Sequence, residues 1–246
     1  MNLELDINYE LSDEKESVLE YSFENEAEMQ EMNELLQYAL EQSDEAVQLT
    51  EGEFDEQGRF THGNVEGIDS EAAEFDPELQ ELTKELDTWV EQGEQMSCAV
   101  ASQTMAINQL SSETYTEQEF INVARENGWY NNGTCAKDVG KIAEYMGMDV
   151  EQFHGVPASE LELANNPEVK VLANVDSTLL QYPDSFKRCQ PNHCVQVLRV
   201  ESTCNGEMVI LNDPGHQGGR GAVYPMEIFE RAYNGDITTI RKAAMA

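Results

Sequence analysis

The stretch that decides the interpretation of this chain is residues 89–102, Trp-Val-Glu-Gln-Gly-Glu-Gln-Met-Ser-Cys-Ala-Val-Ala-Ser. Small and apolar residues follow Cys98 at helical spacing, and Ser97 is a good helix N-cap. We therefore predict a helix over Cys98–Leu110 with Cys98 in its first turn. A thiol there lies in the positive field of the helix N-terminus, which favours the nucleophilic thiolate. Gln92 stands six residues upstream, where its amide could donate a hydrogen bond to an oxyanion on an attacked carbonyl.

A nucleophilic cysteine needs a base, and the chain has four histidines. His62, His154 and His216 lie in Gly-containing stretches that indicate turns or loops. His193 differs, because it opens the apolar run His-Cys-Val-Gln-Val-Leu-Arg-Val, which predicts a buried strand. A side chain at the start of a rigid strand can be aimed, so His193 is the candidate base.

The base in turn needs an acceptor that orients its ring. A second apolar run, residues 207–212, follows the His193 strand after a short Asn-Gly-containing turn and ends at Asn212-Asp213-Pro214-Gly215. Two strands joined in this way form an antiparallel pair, so the start of the first lies beside the end of the second. Asp213 could therefore hold the imidazole and stabilise the imidazolium. Asn212 is the alternative orienter at the same strand end.

The order Gln92, Cys98, His193, Asp213 resembles that of the papain-like cysteine peptidases, and the closer resemblance is to the C39-like peptidase family. It covers roughly residues 85–243 and includes Trp89 with Gln92 before Ser97-Cys98-Ala99, then Asn127-Gly-Trp129, Asp138-Val-Gly140-Lys, Val175-Asp-Ser177, His193 and Asn212-Asp-Pro-Gly215. The resemblance implies a papain-like fold in which Gln92 is the oxyanion-hole residue, Cys98 the nucleophile, His193 the base and Asp213 the orienter. Ala99 stands where the bacteriocin-leader peptidases of this family usually have Gly, and the transporter segments fused to them are not found. Their double-glycine specificity is therefore not implied.

Each of these residues also has a plainer interpretation. A lone cysteine in an apolar helix is usually buried and inert, and Asn-Asp-Pro-Gly is good turn chemistry without catalysis. Cys135 also follows a helix cap, but Trp129 stands six residues before it, so Cys98 is preferred. A zinc site is the rival use of Cys189, His193, Cys194, Cys204 and His216. Their spacing matches no Cys-x-x-Cys pattern, so we expect no metal and no other cofactor.

The charge of the chain is unevenly distributed. The formal net charge is −35, and residues 1–90 carry 28 acidic and 3 basic side chains, a net of −25. Nucleic acid and anionic membranes are unsuitable partners for such a chain, because binding phosphate needs clustered cations. A peptide or protein substrate, and a basic partner for the acidic N-terminal region, remain compatible with the charge.

The composition divides the chain into an acidic N-terminal region, residues 1–75, and a peptidase-like domain, residues 80–246. In the first we predict an amphipathic helix over Glu24–Gln42, in a region that is partly helical or disordered, and a flexible linker over Glu51–Ser70. No signal peptide and no run of 18 apolar residues is visible, and the cysteine count is odd. We therefore expect a reducing, cytoplasmic location, with export by another route left open, as is a Cys189–Cys194 disulfide.

The second region is predicted to be α+β, with helices that carry the cysteine and an antiparallel sheet that carries His193 and Asp213. Helices are expected over Cys98–Leu110, Thr116–Asn127, Cys135–Met146 and near Pro225–Tyr233; strands over Val169–Val175, 193–201, 207–212 and near Thr238–Arg241; and a long polar loop over Asp176–Asn192. A cleft between the two parts would suit an extended peptide.

These residues favour a cysteine peptidase acting through a thioester. Two alternatives stay open. One is a catalytically silent peptide-binding module of the same fold, although all four roles are occupied. The other is a deamidase or a transglutaminase-type acyl transferase, which would use the same catalytic groups. The substrate, the cleavage site, the oligomeric state and the role of residues 1–75 do not follow from the sequence.

Overall fold

The structure, a computed structural model, describes residues 47–49, 53–54, 60–68, 76–183, 185, 187–203 and 206–244. The expected helix Glu24–Gln42 and Cys204 lie outside these ranges. The described helices are Pro77–Asp87 (α1), Cys98–Leu110 (α2), Glu117–Glu126 (α3), Lys141–Tyr145 (α4), Ser177–Gln181 (α5) and Met226–Ala232 (α6), with 3₁₀ segments Ala136–Asp138 and Ala158–Asn165. The described strands are Val47–Leu49 (β1), Glu53–Phe54 (β2), Phe60–Ile68 (β3), Asp149–Phe153 (β4), Lys170–Val175 (β5), His193–Thr203 (β6), Gly206–Asn212 (β7), Ala222–Pro225 (β8) and Tyr233–Arg241 (β9). None of the described helices is both long and apolar enough to cross a membrane.

The described strands form an antiparallel sheet in the order β1-β3-β8-β7-β6-β5-β9-β4, with β2 paired to β3. Its centre is the predicted pair β6–β7, in which Gln196 lies opposite Asn212 and Thr203 opposite Gly206. This register brings the start of β6 beside the end of β7, as expected from the short connection. The α+β class predicted from the sequence is therefore confirmed.

Helix α2 begins and ends at the predicted residues. Every residue of α2 except Cys98 and Asn108 is buried, as is typical of a helix at the centre of a domain. Met105, Ala106 and Ile107 are fully enclosed. Helix α3 is also as predicted, and it begins with a capping box in which the Thr116 and Glu119 side chains each bond to the backbone of the other.

The prediction of one continuous helix over Cys135–Met146 is wrong. The structure has a 3₁₀ turn, Ala136–Asp138, and then the separate helix α4. Gly140 separates them with a φ of 95°, a left-handed conformation that glycine adopts without strain. A Cβ at Gly140 would lie 2.6 Å from Val150 Cγ1, so any residue with a side chain would clash at this position.

Two expected loops contain regular structure. The polar loop Asp176–Asn192 includes the short helix α5, which Asp176 caps by accepting from the Thr178 backbone N–H. The flexible linker expected over Glu51–Ser70 is wrong for the part described, because β3 pairs with β8 there. Val65 of β3 is buried in one cluster with Leu82 and Leu86 of α1. Glycine and acidic residues suggested a linker, but apolar burial in the sheet outweighs that local preference. The independence of residues 80–246 from the rest of the chain stays a prediction.

Candidate active site

The ends of β6 and β7 bring a histidine and a carboxylate together. His193 Nε2 lies 2.6 Å from Asp213 Oδ1, and both side chains are almost fully buried. The same carboxylate oxygen accepts from the Gly215 backbone N–H at 2.7 Å. A Cβ at Gly215 would approach both Asp213 Oδ1 and the His193 ring to 3.0 Å, tighter than nearly all real Cβ contacts. Gly215 thus lets the turn close over the pair.

Cys98 lies at the start of α2 with its thiol against His193. Burial raises the pKa of the thiol, but the hydrogen bond and charge of His193 and the backbone N–H groups of Cys194 and Ala99 outweigh burial, and the pKa is lowered from its ordinary value. Burial lowers the pKa of His193, yet the hydrogen bonds to Asp213 and Cys98 raise it to about 10. These opposite shifts favour a thiolate–imidazolium pair. Because Nε2 is bonded to Asp213, Nδ1 is the ring nitrogen left to face the thiol.

The nucleophile helix is tied directly to the strand that carries the base. Ser102, one turn into α2, donates its hydroxyl to the Cys194 carbonyl at 3.0 Å. Both groups are buried, so the bond cannot be exchanged for water without cost. This contact fixes the relative positions of the Cys98 and His193 backbones.

The cap of α2 differs from the expectation. Ser97 occupies the N-cap position, but its hydroxyl accepts no bond from the helix N–H groups. Its single proton is instead shared between two acceptors, the Glu94 carbonyl at 2.8 Å and Glu117 Oε1 at 2.6 Å. Glu117 Oε2 accepts from the Gly93 backbone N–H at 2.7 Å. This carboxylate in the first turn of α3 therefore holds both ends of the loop between Gln92 and Cys98, and sequence reasoning missed it.

The loop that carries Gln92 is also bonded to the turn that carries Asp213. The Gln92 backbone N–H donates to the Pro214 carbonyl at 2.9 Å, and Trp89 Nε1 donates to the Asp213 carbonyl at 2.9 Å. The Gln92 side chain lines a cavity with Cys98 and His193. Its Oε1 is buried and accepts no hydrogen bond from the described residues. The oxygen of the amide is therefore turned away from solvent, while the residue borders the same cavity as the thiol.

Asn212, the alternative orienter, does not reach His193. Its side-chain nitrogen donates to the Glu85 carbonyl at 2.9 Å, and its oxygen accepts from the Gly221 backbone N–H at 3.2 Å. Asn212 is completely buried, so both ends of its amide are used in holding α1 and the β8 segment to β7. Of the two strand-end residues, only Asp213 bonds the imidazole.

A buried group of charges anchors α1, which leads into the Trp89–Gln92 loop. Lys170 Nζ lies 2.6 Å from Glu85 Oε1 and 3.0 Å from Glu81 Oε1, and Arg199 lies 2.9 Å from Glu85 Oε2. Lys170 and Glu85 are 2% and 1% exposed, and an unpaired charge at such a depth would be strongly destabilising. No sequence motif indicated this network. Its trace in the sequence is one pair of acidic residues, Glu81 and Glu85, which lie four residues apart on one face of α1.

The other histidines lie apart from the thiol. His62 stacks on Tyr224 with ring centroids 5.9 Å apart. His154 Nδ1 lies 3.0 Å from Asp236 Oδ1 and is largely exposed. His216 lies closer to the site: its Nε2 is 3.8 Å from Asp213 Oδ2, and its Nδ1 accepts from the Gly218 backbone N–H. Only His193 is in contact with both Cys98 and Asp213.

The remaining described cysteines are free thiols and lie in different surroundings. Cys135 is exposed, Cys194 is buried with its pKa raised by desolvation, and Cys189 donates to the Ala232 carbonyl. Cys189 and Cys194 form no disulfide. In the described part of the chain, no three His, Cys, Asp or Glu side chains are grouped so that they could hold a metal ion.

Two cavities flank the Cys98–His193 pair. One, of about 250 Å³, continues past Thr134 and Asp236, and the other, of about 220 Å³, continues past Gln92 and His216. Met96 lines both and stands between them with a φ of 66°, in the left-handed region that residues with a Cβ rarely adopt. An extended chain crossing the thiol would have space on either side of the attacked bond.

The chain matches no protein-family model and no curated protein. Among solved structures it is similar to the peptidase domain of Streptococcus ComA, a bi-functional ABC transporter involved in a quorum sensing pathway, with a TM-score of 0.48 and 14% identity over 63% of this chain and 98% of that one. It is also similar to a C39-like peptidase from Bacillus anthracis (TM-score 0.44, 15% identity, 64% and 95% coverage). A third is a double glycine motif protease from an AMS/PCAT transporter in complex with the leader peptide (0.43, 18%, 63% and 91%). At these TM-scores and identities the activities of the three proteins do not carry over to this chain.

Proposed function

We propose that this protein is a cysteine peptidase in which Cys98 is the nucleophile, His193 the general base and acid, and Asp213 the residue that orients His193. The observation that carries the proposal is the contact of one buried imidazole with both a thiol and a carboxylate, His193 Nε2 lying 2.6 Å from Asp213 Oδ1. Burial alone would keep both the thiol and the imidazole neutral. Their opposite pKa shifts therefore require the contacts of the triad.

In the proposed reaction the Cys98 thiolate attacks the carbonyl carbon of an amide, and a C–S bond forms while the electron pair of the carbonyl moves to oxygen. The oxyanion accepts hydrogen bonds from the Cys98 backbone N–H and the Gln92 side chain. The C–N bond then breaks, and the His193 imidazolium gives its proton to the leaving amine. Neutral His193 next takes a proton from water as the water oxygen attacks the thioester. The thiolate leaves, and a carboxylic acid product is released.

Cleavage of a main-chain amide is favoured over deamidation of a side-chain amide by the two cavities. A deamidase needs to admit only the end of one side chain, whereas a transglutaminase also admits the amine that accepts the acyl group. A peptidase needs room for chain on both sides of the bond, and space of about 250 and 220 Å³ lies on either side of Cys98. The turn at Asp213 and the Gln92 loop are also bonded to each other, so the orienter and the oxyanion donor keep one geometry while a chain occupies the cleft.

The test is covalent labelling with a peptide whose scissile carbonyl is replaced by an electrophile, followed by mass spectrometry of the labelled peptide. We expect one label per chain, on Cys98, and loss of labelling in Cys98→Ala and His193→Ala. Cys135→Ala is the matched control, because Cys135 is an exposed thiol outside the triad. Labelling of Cys135 in preference to Cys98, or equal labelling of His193→Ala, would overturn the proposed chemistry.

A further inference from the structure

The two cavities beside Cys98 differ in the charge that their walls present. The cavity of about 250 Å³ is lined by the apolar side chains of Met96, Ala99 and Val139 and by Thr134 and Asp236. Asp236 lies on β9, which β5 separates from the strand that carries His193. The lining of this cavity, within the described residues, contains one carboxylate, Asp236, and no Lys or Arg. We name this space the Asp236 cavity. The opposite cavity has Asp213 as its carboxylate, and that group is already bonded to His193.

Resting on the proposed peptidase function, we propose that the Asp236 cavity is the subsite for a substrate residue next to the cleaved bond and that it selects a cationic side chain, lysine or arginine. Such side chains have an apolar stem and a charged head. The cavity offers the same two kinds of surface, apolar side chains and a carboxylate on a strand that is not adjacent to the His193 strand. Its volume is below the 300–1,000 Å³ typical of pockets that enclose a whole small ligand, so it suits one side chain of an extended peptide.

The Asp236 carboxylate is held in position but not neutralised by a buried partner. Asn234 Nδ2 donates to its Oδ2 at 2.8 Å, which fixes the carboxylate plane and leaves its charge intact. His154 Nδ1 lies 3.0 Å from Oδ1, but its side chain is 65% exposed. An ion pair so open to water contributes little. A substrate ammonium or guanidinium entering from the cavity can therefore compete with His154.

A second polar side chain borders the same cavity. Thr134 Oγ1 is buried and has no hydrogen-bond partner among the residues that the structure describes. Thr134 lines the Asp236 cavity from the side of the helices, whereas Asp236 lines it from β9. If the Thr134 side chain rotates toward the cavity, a cationic head could donate to both the carboxylate and this hydroxyl oxygen, which would satisfy a group that has no partner among the described residues.

The net charge of the whole chain also favours cationic substrates. With a formal net charge of −35, the protein attracts cationic peptides at long range and repels acidic ones. That field is screened by salt, whereas the contact with Asp236 is short-ranged. Long-range attraction and local selection are therefore separable by comparing two variants that lose the same charge at different places.

The experiment uses the full chain and peptidyl electrophiles that differ at the two residues preceding the reactive group, with lysine, norleucine or glutamate at each. The second-order rate of Cys98 labelling is measured by mass spectrometry at 0.15 M salt. We expect lysine to exceed norleucine by about tenfold at one of these positions, the ratio for one charge-assisted hydrogen bond. Asp236→Asn should bring the ratio close to one, Asp236→Glu should retain it, and Asp236→Lys should favour glutamate.

Glu151→Gln is the matched control, because Glu151 is an exposed β4 carboxylate paired with Arg241 and does not line the cavity. It should leave the lysine ratio unchanged. Labelling by iodoacetamide, which carries no side chain, should be equal in wild type and Asp236→Asn, showing that the thiol is intact. An unchanged lysine preference in Asp236→Asn, or none in wild type, would overturn the subsite. Failure of the peptidase proposal would look different: lysine-selective labelling would persist, but no peptide would be cleaved.

Discussion

Replacement of His193 with alanine should reverse the direction in which the Cys98 pKa is shifted. In the wild type the hydrogen bond and charge of His193 lower this pKa below its ordinary value of 9.0, against the opposing effect of burial. Without the imidazole, burial is the largest remaining influence, and the opposing contributions of the Ala99 and Cys194 N–H groups are each smaller. The pKa of Cys98 in His193→Ala should therefore lie above 9.0.

The magnitude follows from the fraction of thiolate. A thiol with a pKa above 9.0 is less than about 1% ionised at pH 7, and its alkylation rate rises about tenfold per pH unit through the neutral range. The wild-type rate should reach half its maximum below pH 9. Because thiolate nucleophilicity falls with the pKa, with a Brønsted coefficient of about 0.4–0.5, the variant should become faster than the wild type at high pH. The two curves are thus expected to cross.

The assay is the second-order rate of iodoacetamide labelling between pH 5 and 10.5, with the site assigned by mass spectrometry and exposed Cys135 as a reference thiol in the same sample. Asp213→Asn tests the direction of the His193 pKa shift. Asp213 raises the pKa of His193 to about 10, so in Asp213→Asn the imidazolium should lose its proton at a lower pH. The thiolate–imidazolium pair should then persist over a narrower pH range, with its upper limit lowered. Equal midpoints for wild type and His193→Ala would refute the thiolate–imidazolium pair.

Three further substitutions and a truncation separate catalytic from structural contributions. Gln92→Ala should reduce kcat/KM by about 2.7–4 kcal/mol of transition-state stabilisation if its amide binds the oxyanion, and a loss within assay error would leave it a structural role alone. Asn212→Ala should lower the free energy of unfolding by about 1–3 kcal/mol for each buried backbone group it leaves unpaired, with Cys98 labelling retained. Asp213→Ala should instead reduce Cys98 labelling, with a smaller loss in the free energy of unfolding. Urea denaturation and the labelling rate, measured together, distinguish the two variants. A chain beginning at residue 72 lacks β3 and should melt at a lower temperature than one beginning at residue 47, because burial of Val65 alone contributes about 1.5–3 kcal/mol; equal melting temperatures would make β3 dispensable.

The sequence predicted the elements whose signals are local. The small-residue helix α2 and the capping box of α3 both begin where their residues indicated. The β6–β7 pair was also predictable, because a short turn between two apolar runs allows one pairing. From that pair alone it followed that His193 and the Asn212–Asp213 end would be neighbours.

The parts that could not be predicted depend on distant contacts. Glu117 and Trp89 hold the loop and turn around the site, but neither partner is near in sequence, so their spacing carried no signal. The choice between Asn212 and Asp213 depended on Glu85 and Gly221, which occupy the amide of Asn212. The expected linker was misassigned at β3 because Gly63 and Gly67 suggested freedom that pairing with β1 and β8 removes.

The most direct measurement of the central proposal is the identification of new peptide amino termini after a defined peptide mixture is incubated with the protein. We expect the wild type to generate new amino termini and matching new carboxyl termini, with oxygen from labelled water in the carboxylate. Cys98→Ala and His193→Ala should generate none, although both remain folded. New termini formed by Cys98→Ala, or ammonia release without new termini in the wild type, would contradict peptide-bond cleavage through the Cys98–His193–Asp213 triad.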